Sequence, residues 1–414
     1  MQLRVRIHRG AAQVGGTCVE LEAQGKRILL DLGMPLDAEE GEVPLPDVPG
    51  LGGDDPSLLG IIVSHLHGDH CGLVPYASPE LPLAMGPVAA RILREAQFFT
   101  RRVALPAPRW PLIDRQTFQV GPFRITPYQV EHSALDAFAL LVEAEGRRIF
   151  YTGDFRAHGN DRDPWERLLH DPPREVHALL MEGTQIGGGR EGDGPTEAML
   201  RSTLARRFSE WPGLVLAAWS SQNLDRLCTF YEAAKQSGRA LVVDLYTATL
   251  AQAAGLPGLP ALGEAGLRVY LRKNEGRAIL EAQDFGRTEA VKRARLYPEH
   301  FAERGRELVV MFRPSALWQF EQAGALDGAL AIWSLWGGYL RNPLEQRMQQ
   351  VFAEHGVELE RHHVSGHAYV RDLQRLVMAI RPQRVIPIHT EDPVRYAALI
   401  PEVDARPDGI WWDA

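Results

Sequence analysis

The stretch SHLHGDHCG, residues 64–72, sets three histidines and an aspartate close together, directly behind the apolar run LLGIIV. Imidazole nitrogens and carboxylate oxygens are ligands that suit zinc, and a catalytic zinc keeps one position open for water. His65 and His67, two apart, can bind one ion from a single loop, while Asp69 and His70 point toward a second. Gly68 removes a side chain where such a loop must fold tightly. A decorated surface turn is the ordinary alternative, but it does not account for so polar a cluster at the end of a buried strand.

Two ions need more ligands than this loop supplies. YQVEHSA (128–134) presents His132 beyond a strand-like stretch, IFYTGDF (149–155) ends an apolar strand on Asp154, and RVIPIHTE (384–391) presents His389 in the same way. Asp154 could bridge both ions. Each of the three alone reads equally well as a capped or exposed polar residue; together with the 65–70 loop they form a set. Asp31, ending RILLDLG, is expected to orient the histidine loop from behind it rather than to bind metal.

Other stretches speak to an anionic substrate. LLMEGT (179–184) carries Glu182 at a strand end. LAAWSSQNLDRL (216–227) sets Ser221 and Arg226 at the start of a helix, and HHVSGHA (362–368) joins a strand to a helix through Ser365, Gly366 and His367. Amides at a helix start, a hydroxyl and a histidine make a phosphate cradle. For Glu182 alone, a capping or salt-bridging role is an equal alternative.

These residues must be held by a framework, and the chain is long enough for two or three domains, at 414 residues with 45% hydrophobic and 24% charged. Short apolar runs at 4–7, 27–33, 61–64, 147–154 and 177–183 read as strands, with a helical pattern at 87–102. After the glycine-rich stretch 186–195, a helix is expected from Thr196, whose side chain suits an N-cap. Strand-like 213–220, 239–246, 306–312 and 328–334, with a helix at 223–238, suggest a second α/β domain with a mainly parallel sheet. The tail from about 355 offers a helix at 369–380 and a strand at 383–391.

The bulk properties exclude several classes. MQLRVRIHRG alternates like a strand and lacks a signal-peptide core, and no apolar run is long enough to span a bilayer. Cys18, Cys71 and Cys228 lie far apart, which argues against a disulfide framework and fits a cytoplasmic protein. The formal charge of −8 offers no global attraction to nucleic acid, although bound metal ions can dominate the field at a site. Trp333, Trp336 and Tyr339 in AIWSLWGGYL could stack bases, but their spacing favours core or interdomain packing. Cys71 reads as a small buried residue.

SHLHGDH, His132, TGD at 152–154 and Asp31 resemble the successive motifs of the metallo-β-lactamase superfamily. Glu182, SGHA around His367, and His389 are similar to the three extra motifs of its β-CASP branch, the nucleic-acid-processing group that includes ribonuclease J. WSSQNLDR is similar to that branch's serine–asparagine–arginine segment. The resemblance implies an α/β fold, a metallo-β-lactamase αββα sandwich with an inserted β-CASP α/β domain. The corresponding layout is 1–190 for the first part of the sandwich, 191–355 for the β-CASP domain and 356–414 for the return. It departs from ribonuclease J where VVMFRPSALW (309–318) stands near the place of a glycine-rich TGxQGE-like segment, and no further C-terminal domain is expected.

What the resemblance implies for function is a zinc-dependent nuclease that hydrolyses phosphodiester bonds of RNA, single-stranded by expectation, with water activated by two zinc ions. Manganese or another divalent ion is the alternative cofactor. His65, His67 and His132 would hold one ion, Asp69, His70 and His389 the other, with Asp154 as bridge. Asp69 would also orient the nucleophile, and His367, held by Glu182, would stabilise the transition state or protonate the leaving oxygen. Ser221, Arg226, Ser365 and Gly366 would hold a phosphate. Histidine at 389, in place of the aliphatic residue of DNA-acting members, favours RNA as the partner. The rival readings are a DNA nuclease of the same branch, a lactonase- or thioesterase-type hydrolase, and a non-catalytic subunit. No membrane partner is expected.

Overall fold

The computed structural model describes residues 2–39, 41–101, 103–187, 192–264 and 266–414. Residues 188–191 of the glycine-rich stretch therefore lie outside the described residues. The chain divides into two compact units, one of 1–94, 102–194 and 366–414, the other of 95–101 and 195–365. These divisions fall at 194/195 and 365/366, later than the expected 190/191 and 355/356. The second shift has a physical reason: strand Glu358–Arg361 pairs in parallel with Leu330–Trp333 and so completes the sheet of the second unit.

Among the described residues, the first unit holds a seven-stranded and a six-stranded sheet. Alternating strand residues such as Val5, Ile7, Val19, Leu21, Ile125, Leu140, Val142 and Ile386 meet in one core drawn from both sheets. The outer face of the six-stranded sheet is covered by helices Asp163–His170 and Val370–Ile380, which contribute Trp165, Leu168, Leu373, Leu376 and Ile380 to a further core cluster. Apolar residues at 370, 373, 376, 377 and 380 give the second helix a single buried stripe. This is the layered sandwich expected from the sequence.

Strand direction decides where the polar strand ends gather. In the seven-stranded sheet, Lys26–Leu30 and Leu58–Ile62 run parallel. In the six-stranded sheet, Arg147–Tyr151, Ala178–Glu182 and Val385–Ile388 run parallel in consecutive positions. Phe123–Val130 is separated from Arg147–Tyr151 by one strand antiparallel to both. Carboxyl ends of these strands consequently share an edge within each sheet, and the residues that follow them include Asp31, the 65–70 loop, His132, Asp154 and His389.

The second unit is built on a six-stranded sheet whose pairings are all parallel. Its central strands are buried along their whole length, as parallel strands covered on both faces must be. Thr196 caps helix Glu197–Glu210 by accepting a hydrogen bond from the Met199 amide. Trp333 packs in this unit's core, but Trp336 and Tyr339 are 51% and 45% exposed, so the expectation of core packing fails for those two rings. They lie in and beside the short turn of helix Gly337–Arg341, past the end of the buried strand.

Candidate metal centre

Every side chain of the candidate centre belongs to the first unit. The 65–70 loop leaves strand Leu58–Ile62 and closes into a single helical turn, Gly68–Cys71. Its position is fixed from behind by the 31–34 segment: Leu32 and Met34 amides donate to the carbonyls of His70 and Gly68, both at 2.9 Å. A Cβ at Gly33 would lie 1.7 Å from the Asp69 carbonyl oxygen, so only glycine allows the two backbones to approach this closely.

Asp31 performs the orienting role expected of it. Its carboxylate accepts from the Ser64 amide at 2.6 Å, the Ser64 hydroxyl at 2.7 Å and the Tyr151 hydroxyl, and it lies 2.7 Å from His70 Nδ1. With Nδ1 so engaged, Nε2 is the ring atom His70 offers to a metal. Ser64 Oγ does the same for His65, lying 3.0 Å from its Nδ1.

The side chains then form three overlapping groups. His65, His67 and His132 are one; Asp69, His70, Asp154 and His389 are another; Asp154, Glu182, His367 and His389 are the last, with ligand atoms within 4.8 Å of one another in each. Asp154 belongs to two of them and also lies 3.8 Å from His65 Nε2, between the histidine groups. It stands 3.1 Å from His70 Nε2 and 3.5 Å from His389 Nδ1. Glu182 Oε2 is 3.2 Å from His367 Nδ1, while Oε1 accepts from the Phe155 amide at 3.0 Å.

A test of whether these residues suit metal ions comes from their unmet hydrogen-bonding capacity. His65 Nε2, His70 Nε2, His132 Nδ1 and both carboxylate oxygens of Asp154 are buried without a hydrogen-bond partner. Buried polar atoms left so are costly, and several converging in one place call for a cation. Charge tells the same story. Burial drives His65 and His132 well below the usual imidazole range and His67 down to about 4, leaving the neutral form that donates a lone pair. Burial opposes charge on Asp154 and His70 too. There, His389, His70 and His367 nevertheless hold Asp154 well below its ordinary value, while Asp154 and Asp31 hold His70 well above. The carboxylates thus demand positive charge at this spot. His367 is raised to about 9, because Glu182 and Asp154 outweigh its burial.

The proposed phosphate residues are placed differently. Gly366 lies beside the centre, where an added Cβ would meet Ser133 Oγ at 2.5 Å and His132 Cε1 at 3.5 Å. Ser221, Arg226 and Ser365 belong to the second unit. Arg226 is wholly buried, and its guanidinium donates to Glu197, to the Ser334 hydroxyl and carbonyl, and to the Val364 carbonyl. The expectation that Arg226 holds a phosphate is therefore corrected: it anchors the segment just before Ser365. Ser221 is also buried, its hydroxyl bonded to Thr247 and Arg313.

Some contributors had no motif. Thr184 Oγ1 lies 2.8 Å from His389 Nδ1, and its place two residues beyond Glu182, at a strand end, was the available signal. Tyr151 and Ser64 support Asp31 from positions that read as ordinary strand residues. Glu131 and Arg156 pair beside the centre, and isolated charges of this kind carry no signal in sequence.

Comparison with known proteins adds to this geometry. A model of the beta-lactamase superfamily domain matches residues 26–185, and one of the Zn-dependent metallo-hydrolase RNA specificity domain matches residues 345–401. The chain is 24% identical over 415 residues to Ribonuclease J of Helicobacter pylori (strain B128), covering 92% of this chain and 55% of the relative. It therefore spans about half the length of that relative. It is 26% identical over 385 residues to Ribonuclease J of Sinorhizobium meliloti, covering 88% and 64%. An RNase J-like protein of Methanocaldococcus jannaschii is 30% identical over 167 residues, 36% of each chain. A crystal structure of a protein of unknown function from Enterococcus faecalis V583 matches with a TM-score of 0.82 at 21% identity, covering 100% of both chains, a likeness of fold.

Proposed function

This chain belongs to the metallo-β-lactamase superfamily, in its ribonuclease J-like β-CASP branch, and from that premise we propose that it is a metal-dependent nuclease hydrolysing phosphodiester bonds of RNA. The observation that carries the reading is the convergence of buried atoms on His65, His70, His132 and Asp154 that make no hydrogen bond. His65, His67 and His132 would hold one zinc ion, Asp69, His70 and His389 a second, and Asp154 would lie between them. Such ions, when bound, bring the pKa of water toward neutrality and offset the negative charge of a phosphate under attack.

The chain's own residues do the rest. Asp31 and Ser64 fix the rings of His70 and His65 so that their Nε2 atoms face inward. Asp69, only partly buried and 3.3 Å from His389 Nε2, is held ionised by His389 and His70 and is the carboxylate suited to orient the attacking water. Glu182 holds His367 at Nδ1, which leaves Nε2 as the atom to give a proton to the departing oxygen. RNA is favoured over DNA by the name of the matched RNA specificity domain and by histidine at 389.

The test is digestion of matched RNA and DNA oligomers, labelled at either end and carrying different 5′ groups, by zinc-loaded and metal-stripped protein. RNA cleavage that requires metal and disappears in Asp69→Ala is the expected result. Near-normal turnover by metal-stripped Asp69→Ala would overturn the mechanism, and preferential DNA cleavage would overturn the choice of polymer.

A further inference from the structure

We propose that the buried Glu131–Arg156 ion pair is a positioning device for the metal centre, fixing the loop that carries His132 against the loop that carries Asp154. This inference rests on the metal-centre reading above. Glu131 precedes His132 directly, and Arg156 stands two residues after Asp154. The Arg156 side chain is wholly buried and Glu131 is 7% exposed. Bonds that join the loops include Arg156 Nε donating to Glu131 Oε1 at 2.6 Å, the Arg156 amide donating to the Glu131 carbonyl at 2.7 Å, and the Gly159 amide donating to Glu131 Oε2 at 2.9 Å. A Cβ on Gly159 would lie 2.0 Å from Glu131 Oε1, so the carboxylate occupies the space a side chain would need.

The contact continues on both sides. The Phe155 amide, next to Arg156, donates to Glu182, and Glu182 reaches His367. His158 stacks on Tyr369, with ring centroids 4.1 Å apart and planes 18° from parallel. The loops bearing His132, Asp154 and His367 are thus joined in one row, with the ion pair at its His132 end.

Stability alone is a poor reason for such a pair. Taking two charges out of water is costly, and apolar replacements of similar volume are often as stable. What a planar guanidinium held on a carboxylate supplies is direction and separation. A metal site needs both, since ligand distances must hold to within about 0.2 Å. Groups behind the ligands typically change metal affinity by about 10- to 100-fold when removed.

The experiment compares wild type, Arg156→Lys and the double variant Glu131→Gln/Arg156→Met. Zinc affinity is measured by chelator competition, the cobalt(II)-substituted centre by visible absorption, and the metal-free protein by thermal melting. We expect the double variant to melt near wild type without metal, to bind zinc about 10- to 100-fold more weakly, and to give altered cobalt bands. Arg156→Lys, which keeps charge but loses the planar guanidinium and its Nε donor, should fall between. Wild-type affinity and cobalt bands in both variants would overturn the inference, as would a double variant that does not fold, which would assign the pair to core stability. Failure of the wild type itself to take up zinc or cobalt is a separate outcome, and it would overturn the metal-centre reading instead.

Discussion

Asp31 and His389 both adopt left-handed backbone angles, with φ of +59° and +52°, a region that costs a non-glycine residue roughly 1–3 kcal/mol. Each is held there by a strand-end bond: the Asp31 amide donates to the Ile62 carbonyl at 2.9 Å and the His389 amide to the Gly10 carbonyl at 2.7 Å. One turns its carboxylate onto Ser64 and His70; the other brings its ring toward Asp69 and Asp154. His367 belongs to neither the His65–His67–His132 group nor the Asp69–His70–Asp154–His389 group; it borders them through Asp154 and His389 and is tied to Glu182. His367→Ala should accordingly retain its zinc, measured by elemental analysis, while turnover on RNA falls by about 100-fold or more. Unchanged turnover would remove His367 from the chemistry. At this scale the sequence was most legible where chemistry forces rare residue types together, as in the 65–70 loop. It was least legible for Glu131 and Arg156, because a glutamate and an arginine separated by a strand pair look like any two surface charges until the fold buries them.

Elements were readable where their periodicity was unbroken. The strands that end on Asp31, Asp154, Glu182 and His389, and the helix capped by Thr196, lie where apolar runs and the capping threonine placed them. Two readings failed for a common reason. Strand Glu358–Arg361 has only partly buried residues at its centre, so nothing in ELER marked it as the edge of the second sheet. Arg226, on helix Leu224–Gln236, looked like a basic group at a helix start; only packing reveals that Glu197 meets it in the interior. Arg226→Met strands the Glu197 carboxylate and should destabilise the protein by about 3–5 kcal/mol in urea unfolding. The double variant Glu197→Gln/Arg226→Met should recover much of that loss. Glu275, in helix Lys273–Ala282, carries a pH signature. Burial, with Asp244 second, raises its carboxyl from 4.5 to about 7 despite Arg272. The folded form therefore keeps a proton that the unfolded chain has already released. Its contribution to stability is complete below about pH 4.5 and is lost as pH rises through 7. Urea unfolding from pH 4.5 to 7.5 should show this decline in wild type and a flatter profile in Glu275→Gln; parallel profiles would refute the assignment.

For the whole molecule, the two units predict separable responses. All the candidate ligands lie in the first unit, so zinc should stabilise that unit by mass action, by about 2.7 kcal/mol for each ion bound at a free concentration 100 times its Kd. Calorimetry with and without a chelator should show one zinc-dependent transition; a melt unmoved by chelation would refute it. No helix among the described residues is long and apolar enough to cross a membrane. The interleaved order of the chain has a further consequence. Strand Val385–Ile388 pairs beside Ala178–Glu182, and residues 195–365 of the second unit are encoded between them. A polypeptide still emerging from the ribosome owns the histidine loop long before it owns position 389. The blade therefore stays unassembled, and the message being translated is spared, until the ribosome has added residue 389 and the strand before it can dock.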